Sequence, residues 1–303
     1  MFLFILYTIY LYVNSKIIIK KEKIELIDAN WTIPSGLVAV LLNKKFICTT
    51  LGSDIRLFYN KPFIRQLLKF ILKKAELIDC VGEEYKERLI DMGIDKRKIN
   101  ILYLIINKDR FKDVYSKDKI KSKYNIKSEK ILLYVGNFVP IKGPDNAVKA
   151  FVIVKKRFPN TKLIMIGKGP LKNKIDKIIE ENNLQKEVVF NDTINDKELI
   201  GLIKTADIVL PPMTDKGVVS IQIEALMCST PFIADFPKEA SKISQVAIRA
   251  DVSSYKDIAE KIIESLSKIE KIRRNIKSKR NEILELYSWE ARTKKLNDIY
   301  KKF

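Results

Sequence analysis

Short apolar runs bounded by turn residues recur along this chain, separated by longer stretches of helical periodicity. That alternation confines it to an α/β fold in which helices cover parallel sheets. In the first hundred or so residues the runs at 24–29 (IELIDA), 46–51 (FICTTL), 76–82 (ELIDCVG) and 99–106 are predicted strands. The loop WTIPSG follows the first and leads into a helix from Leu37; the second ends in Gly52-Ser53-Asp54. A second series lies at 131–137, 162–169, 187–192, 207–212 and 231–235, with helices between, such as the one carrying Ile175, Ile178 and Ile179. At 303 residues the chain has room for two domains. The polar, Lys-rich segment from 112 to 129 marks the junction, giving domains at 1–111 and 112–286 and a final helical segment at 287–303. Doubly wound sheets bind ligands beyond the carboxyl ends of their strands, so the loops there are where chemistry is expected.

Composition removes whole classes of mechanism. The sequence has no histidine, which excludes Ser-His-Asp and Cys-His nucleophile systems, His-ligated zinc and an imidazole base. Cys48, Cys80 and Cys228 are scattered with no CxxC, so they read as structural thiols of a reducing, cytoplasmic compartment. The charge balance is 57 − 37 = +20, which suits an anionic partner. Nucleic acid is not the expected one, because the lysines are spread through nearly every helix and no recognition motif or aromatic-basic platform accompanies them.

Two segments bear on membranes. Residues 2–13 (FLFILYTIYLYV) are almost wholly apolar but fall short of the ~20 residues that span a bilayer. They read either as a buried helix of a layered domain or as a membrane-inserted anchor with Lys16, Lys20, Lys21 and Lys23 at the headgroups. At 61–74, Lys61, Arg65, Lys69 and Lys73 recur every fourth residue beside a stripe of Ile64, Leu67, Leu68 and Ile71. Such a basic amphipathic helix is either an ordinary domain helix or a peripheral contact with an anionic membrane face.

Three loops of the second series could bind a ligand. Gly136 to Gly143 joins a strand to a helix, where glycines, a helix N-terminus and Lys142 suit a phosphate, or simply make a turn. Gly167-Lys168-Gly169-Pro170 opens like a dinucleotide fingerprint, but Lys172 stands where a third glycine is needed, so a nicotinamide site is not expected. Residues 211–220 lead into a helix carrying Glu224 among apolar neighbours. A carboxylate so placed needs a partner, either the hydroxyls of a ribose or a lysine.

Taken in order, these segments resemble the family 4 (group 1) glycosyltransferases of GT-B fold. The matches are Gly136 with Lys142-Gly143, Gly167-x-Gly169-Pro170, Glu224-Ala225-Leu226-Met227-Cys228, Thr230-Pro231 and Tyr287-Ser288-Trp289. Asn30-Trp31, Pro34-Ser35-Gly36, Thr49 and Gly52-Ser53-Asp54 look like the family's amino-domain loops. The resemblance implies two Rossmann-like domains facing across a cleft, with the last helix returning to the first domain. It implies transfer of a sugar from a nucleotide-diphosphate sugar to a lipid-linked or glycan acceptor, with retention and without a metal or other cofactor. The implied catalytic set is Lys142, Lys216 and Glu224, with Lys142 on the diphosphate and Glu224 on the ribose. Gly136, Asn137, Gly143, Gly167, Gly169, Thr193, Gly217, Val218, Val219 and Ser220 would complete the donor site. Ser35, Gly36, Gly52, Ser53 and Asp54 would line the amino-domain side.

The departures are specific. The family's phosphate-binding Arg falls on Asn137, the first Glu of its Glu-x7-Glu pair on Lys216, and its amino-domain His on Leu51. Lys216 would restore near the diphosphate a cation lost at Asn137. The family's opening strand and glycine-rich acceptor loop have no counterpart, so the amino domain is expected to be incomplete, with a partner chain as one source of the missing elements. A non-catalytic nucleotide-sugar-binding subunit or degenerate homologue therefore stands beside the transferase reading.

Overall fold

The computed structural model describes residues 2–127, 130–210, 218–235 and 242–301. The chain forms two compact units, Met1–Leu104 with Arg292–Phe303, and Ile105–Ala291.

In the first unit four parallel strands lie side by side in chain order: β1 (Leu26–Asn30), β2 (Lys45–Thr50), β3 (Leu77–Cys80) and β4 (Ile99–Ile101). Its helices are α1 (Phe2–Glu22), α2 (Leu37–Leu41), α3 (Ser53–Arg56), α4 (Pro62–Lys74) and α5 (Glu83–Asp91). Right-handed crossovers that always step the same way place their helices on one face. There Phe46, Cys48, Ile78 and Cys80 pack with Leu68, Ile71 and Leu72 of α4 and Leu89 of α5. Strand alternation turns Ile47 and Leu77 to the other face, where Ile299 joins them. Cys48, Cys80 and Cys228 are free thiols, each pushed up to about 12 by burial, which leaves them unreactive at neutral pH.

The amino-terminal helix departs from the buried-helix expectation. It does not stop at Val13 but runs on to Glu22: the Asn14 side chain donates to the Tyr10 carbonyl of the preceding turn (2.8 Å), and Ile17, Ile18 and Ile19 renew the apolar character. It is not covered by the domain: Leu3 is 80% and Tyr10 64% exposed. Leu3–Glu22 is 20 residues long and by length and composition could cross a membrane. The amphipathic stripe of α4 is likewise only partly packed. Leu68 and Ile71 are buried as expected, but Leu67 is left partly exposed beside Phe63, which is 91% exposed.

Asp79 is buried on the second face of the sheet, and burial, then the nearby Asp28 carboxylate, push it up to about 6. A carboxyl whose folded pKa lies above its unfolded value of 3.8 adds stability below that value and loses it as pH rises through about 6. Each tenfold change in a proton affinity is worth ~1.4 kcal/mol, so Asp79→Asn is expected to stabilise the chain at pH 7.5 by ~2–3 kcal/mol. In urea titrations at pH 7.5 and at ~pH 4, that advantage should be present at the first and gone at the second.

The second unit holds β5 (Lys130–Val135), β6 (Thr161–Ile166), β7 (Val188–Asn191), β8 (Ile208–Leu210), β9 (Ile233–Ala234) and β10 (Ile248–Arg249). Its helices are α6 (Lys117–Lys123), α7 (Pro144–Arg157), α8 (Lys172–Glu181), α9 (Asp196–Thr205), α10 (Ser220–Met227), α11 (Tyr255–Leu266) and α12 (Ile269–Glu285). The parallel order is β7-β6-β5-β8, and a bridge from Val209 to Phe232 leads on to the β9–β10 pair. The strands step outward from β5 to β7 and then reverse to β8, the doubly wound pattern. Helices cover both faces, which is why Ile131–Tyr134 and Leu163–Ile166 are continuous buried apolar runs. The polar segment at 112–129 belongs to this unit: the Tyr115 N–H donates to the Lys197 carbonyl (3.2 Å), and Ile120 of α6 is buried. The final helix, α13 (Trp289–Tyr300), returns to the first unit. There Arg292 donates to the Tyr103 carbonyl (3.2 Å), Lys295 to that of Ile101, and the Tyr300 hydroxyl to Asp28 (3.0 Å).

Candidate functional site

The strand order of the second unit's sheet reverses between β5 and β8, the point at whose carboxyl edge open α/β sheets bind ligands. The loop from Gly136 to Gly143 leaves β5 at this edge, Gly167-Lys168-Gly169 leaves β6, Thr193 follows β7, and α10 starts beyond β8. Parallel strands put all these carboxyl ends on one side. Asn137 and Thr193 are exposed, while Gly136 and Lys142 are half-buried. Lys142 ends a short turn, Pro140–Lys142, and Gly143 caps the start of α7. The Tyr134 hydroxyl, under the loop, donates to the Lys142 carbonyl (3.2 Å) and ties the turn to β5.

The first two loops brace each other. Gly136 N–H donates to the Ile166 carbonyl (3.0 Å), Phe138 N–H to Lys168 (2.9 Å), and Leu171 N–H to Phe138 (3.0 Å). Gly167 and Gly169 permit this contact: at φ +145 and +155, a Cβ would stand 2.1 Å from the Gly136 oxygen and 2.6 Å from the Phe138 oxygen. What looked in the sequence like half a phosphate fingerprint serves, in this fold, the packing of loop on loop.

Lys216 and Gly217 lie outside the described residues. Val218 and Val219 lead into α10, whose first residue, Ser220, is exposed. The Gln222 side chain accepts from the Val219 N–H (3.0 Å), holding the start of the helix. Glu224 is buried in its second turn. Its partner is not one of the many lysines but Arg110, whose Nη1 donates to Oε1 at 2.7 Å. The same guanidinium forks onto Asp196 at the start of α9, at 2.7 and 2.9 Å. Arg110 therefore joins α9 and α10, both of which begin at the carboxyl edge of the sheet. Its hydrogen bonds hold Asp196 below the usual carboxylate range, and Asp196 and then Glu224 hold the guanidinium above its own. Sequence reasoning missed Arg110 and Asp196 entirely.

The residues expected on the amino side are partly structural. Gly52 is buried against Tyr85, Gly36 against Ile71 and Cys48, and Ser35 and Ser53 are half-buried. The Asp54 carboxylate accepts from the Thr32 N–H and hydroxyl (3.1 and 3.0 Å), anchoring the Thr32–Gly36 segment, and burial pushes it up. Leu51 is exposed. Among the described residues, no group of three or more Cys, Asp or Glu side chains is placed to hold a metal ion.

The glycosyl transferases group 1 family matches residues 116–282, and a glycosyl transferase 4-like family matches residues 8–81. An uncharacterised glycosyltransferase of Methanocaldococcus jannaschii is 27% identical over 97% of this chain and 80% of its own length. The N-acetyl-alpha-D-glucosaminyl L-malate synthase of Bacillus anthracis is 22% identical over 93% of this chain and 75% of its own. The structure of Anabaena HepE in complex with UDP and glucose superposes with a TM-score of 0.80 at 12% identity, covering 95% of this chain and 81% of that one. That match shows a shared α/β fold of the GT-B type. Because the segment 116–282 is more than half of the 303 residues, the chain belongs to the glycosyl transferases group 1 family.

Proposed function

We propose that this protein transfers a sugar from a nucleotide-diphosphate sugar to an acceptor, with retention of anomeric configuration and without a metal, at an anionic membrane surface. The observation that carries the reading is the carboxyl edge of the second unit. Lys142, the glycine-braced loops, Thr193 and the amino end of α10 with Glu224 all belong to that edge, on a chain of a glycosyltransferase family.

In this reading Lys142 binds the donor diphosphate, with Lys216 as a second cation, and both stabilise the charge that builds on the diphosphate as it leaves. Glu224 accepts hydrogen bonds from the ribose, and Thr193 reads the base through its backbone. The membrane part rests on the first unit, where Phe63, Phe70 and Leu67 of α4 are exposed among Lys61, Lys69, Lys73 and Lys74, near the uncovered α1. Adsorption of that kind couples apolar insertion to attraction for anionic headgroups.

A thermal-shift screen of UDP-, GDP- and ADP-sugars tests the donor site. A ligand at 100 times its Kd stabilises by ~2.7 kcal/mol, so one nucleotide series should raise the Tm by several degrees, and Glu224→Ala should remove the shift. If no nucleotide sugar raises the Tm of the wild type, the donor reading is wrong.

A further inference from the structure

We infer that the first unit binds the hydrocarbon chain of an anionic lipid in an apolar groove beside α3. The lipid site does not rest on the proposed transfer reaction.

The groove is a cavity of about 360 Å³ walled by Phe4, Trp31, Ile33, Leu57, Phe58 and Leu67. Its polar lining comes only from Ser53 and Asp54, and the Asp54 carboxylate is turned to Thr32. A sugar or nucleotide needs several placed polar partners to be oriented, and this cavity does not offer them. A chain of methylenes needs none. The rim is large and apolar yet uncovered, with Leu57 58% and Trp31 43% exposed. The charge at the rim fits an anionic head: the Lys61 ammonium stands 5.6 Å over the ring of Phe58, itself a wall residue, and more lysines follow along α4.

The exposed α1 points to a lipid phase. Phe4, one lip of the groove, belongs to a helix in which Leu3–Glu22 is long and apolar enough to cross a membrane and is not buried by the domain. A groove opening beside such a helix faces hydrocarbon when the helix is embedded.

The two tryptophans make the test direct. Trp289→Phe leaves Trp31, in the groove wall, as the sole emitter. Titration with dihexanoylphosphatidylglycerol below its critical micelle concentration should shift that emission to the blue and saturate. Phosphatidylglycerol vesicles with dibrominated acyl chains should quench it at least threefold. Leu57→Glu changes an exposed wall residue and should weaken monomer binding at least tenfold at unchanged Tm. Phe63→Ser, outside the groove, should weaken vesicle binding only.

Absence of a saturable response to the monomer, or wild-type binding by Leu57→Glu, overturns the groove. Monomer binding in a protein that no nucleotide sugar stabilises supports the groove while removing the transfer reading. A nucleotide-sugar shift without monomer binding does the reverse.

Discussion

Gly167→Ala is expected to destabilise the protein by about 3–5 kcal/mol, whereas Gly136→Ala, in the loop it touches, should cost under ~1 kcal/mol. At φ +145 the backbone of Gly167 is in a region that side chains rarely enter, worth ~1–3 kcal/mol of strain. The added Cβ would also stand 2.1 Å from the Gly136 carbonyl oxygen, a backbone atom that cannot rotate away. Relieving that clash means parting the β5 and β6 loops, at a further ~1–3 kcal/mol. It also breaks the Gly136–Ile166 and Phe138–Lys168 hydrogen bonds. At Gly136 a Cβ would meet only the Tyr134 side chain, its hydroxyl nearest at 3.2 Å, an approach that a few tenths of an ångström of movement relieves. Typical stabilities of ~5–15 kcal/mol make the first loss a large share of the total. Urea midpoints of the two variants check it, and equal midpoints would show that the loops do not depend on this approach. Because the same loop carries Lys142, Gly167→Ala should also abolish any stabilisation by nucleotide sugar.

Much of this fold is legible in the sequence because burial on both faces leaves a parallel strand as an unbroken apolar run. Residues 131–134 and 163–166 announce themselves in that way, whereas β10, two residues long, leaves no such trace. The amino-terminal helix was harder to read for a physical reason. Apolarity records avoidance of water, but it does not say whether protein or lipid takes water's place, and the structure leaves Leu3 to Glu22 uncovered. Glycines mislead differently. Gly167 and Gly169 were visible as close-approach residues, but the sequence alone did not reveal that the approaching group is another loop. The Arg110–Glu224 pair was out of reach. Its members lie 114 residues apart, and one basic side chain among 57 carries no signal until the fold brings it to a carboxylate.

That pair supplies the second large effect. Arg110→Met should destabilise the chain by about 2–4 kcal/mol, because it strands the Glu224 carboxylate in a buried site. The double variant Arg110→Met/Glu224→Gln should recover most of the loss by removing the stranded charge, and the non-additivity measures the coupling. Arg110→Lys separates stability from recognition. An ammonium keeps the charge but cannot span Asp196 and Glu224 as the planar fork does. It should therefore fold with nearly wild-type Tm yet hold Glu224 less firmly. If Glu224 grips the donor ribose, the preference of the wild type for a ribonucleoside diphosphate over its 2′,3′-dideoxy counterpart should fall about tenfold in Arg110→Lys, or ~1.4 kcal/mol. A purely structural Arg110 would lower Tm and leave that ratio unchanged. Titration calorimetry with both nucleotides decides between the two, and a wild type that shows no such preference would instead remove Glu224 from the ribose.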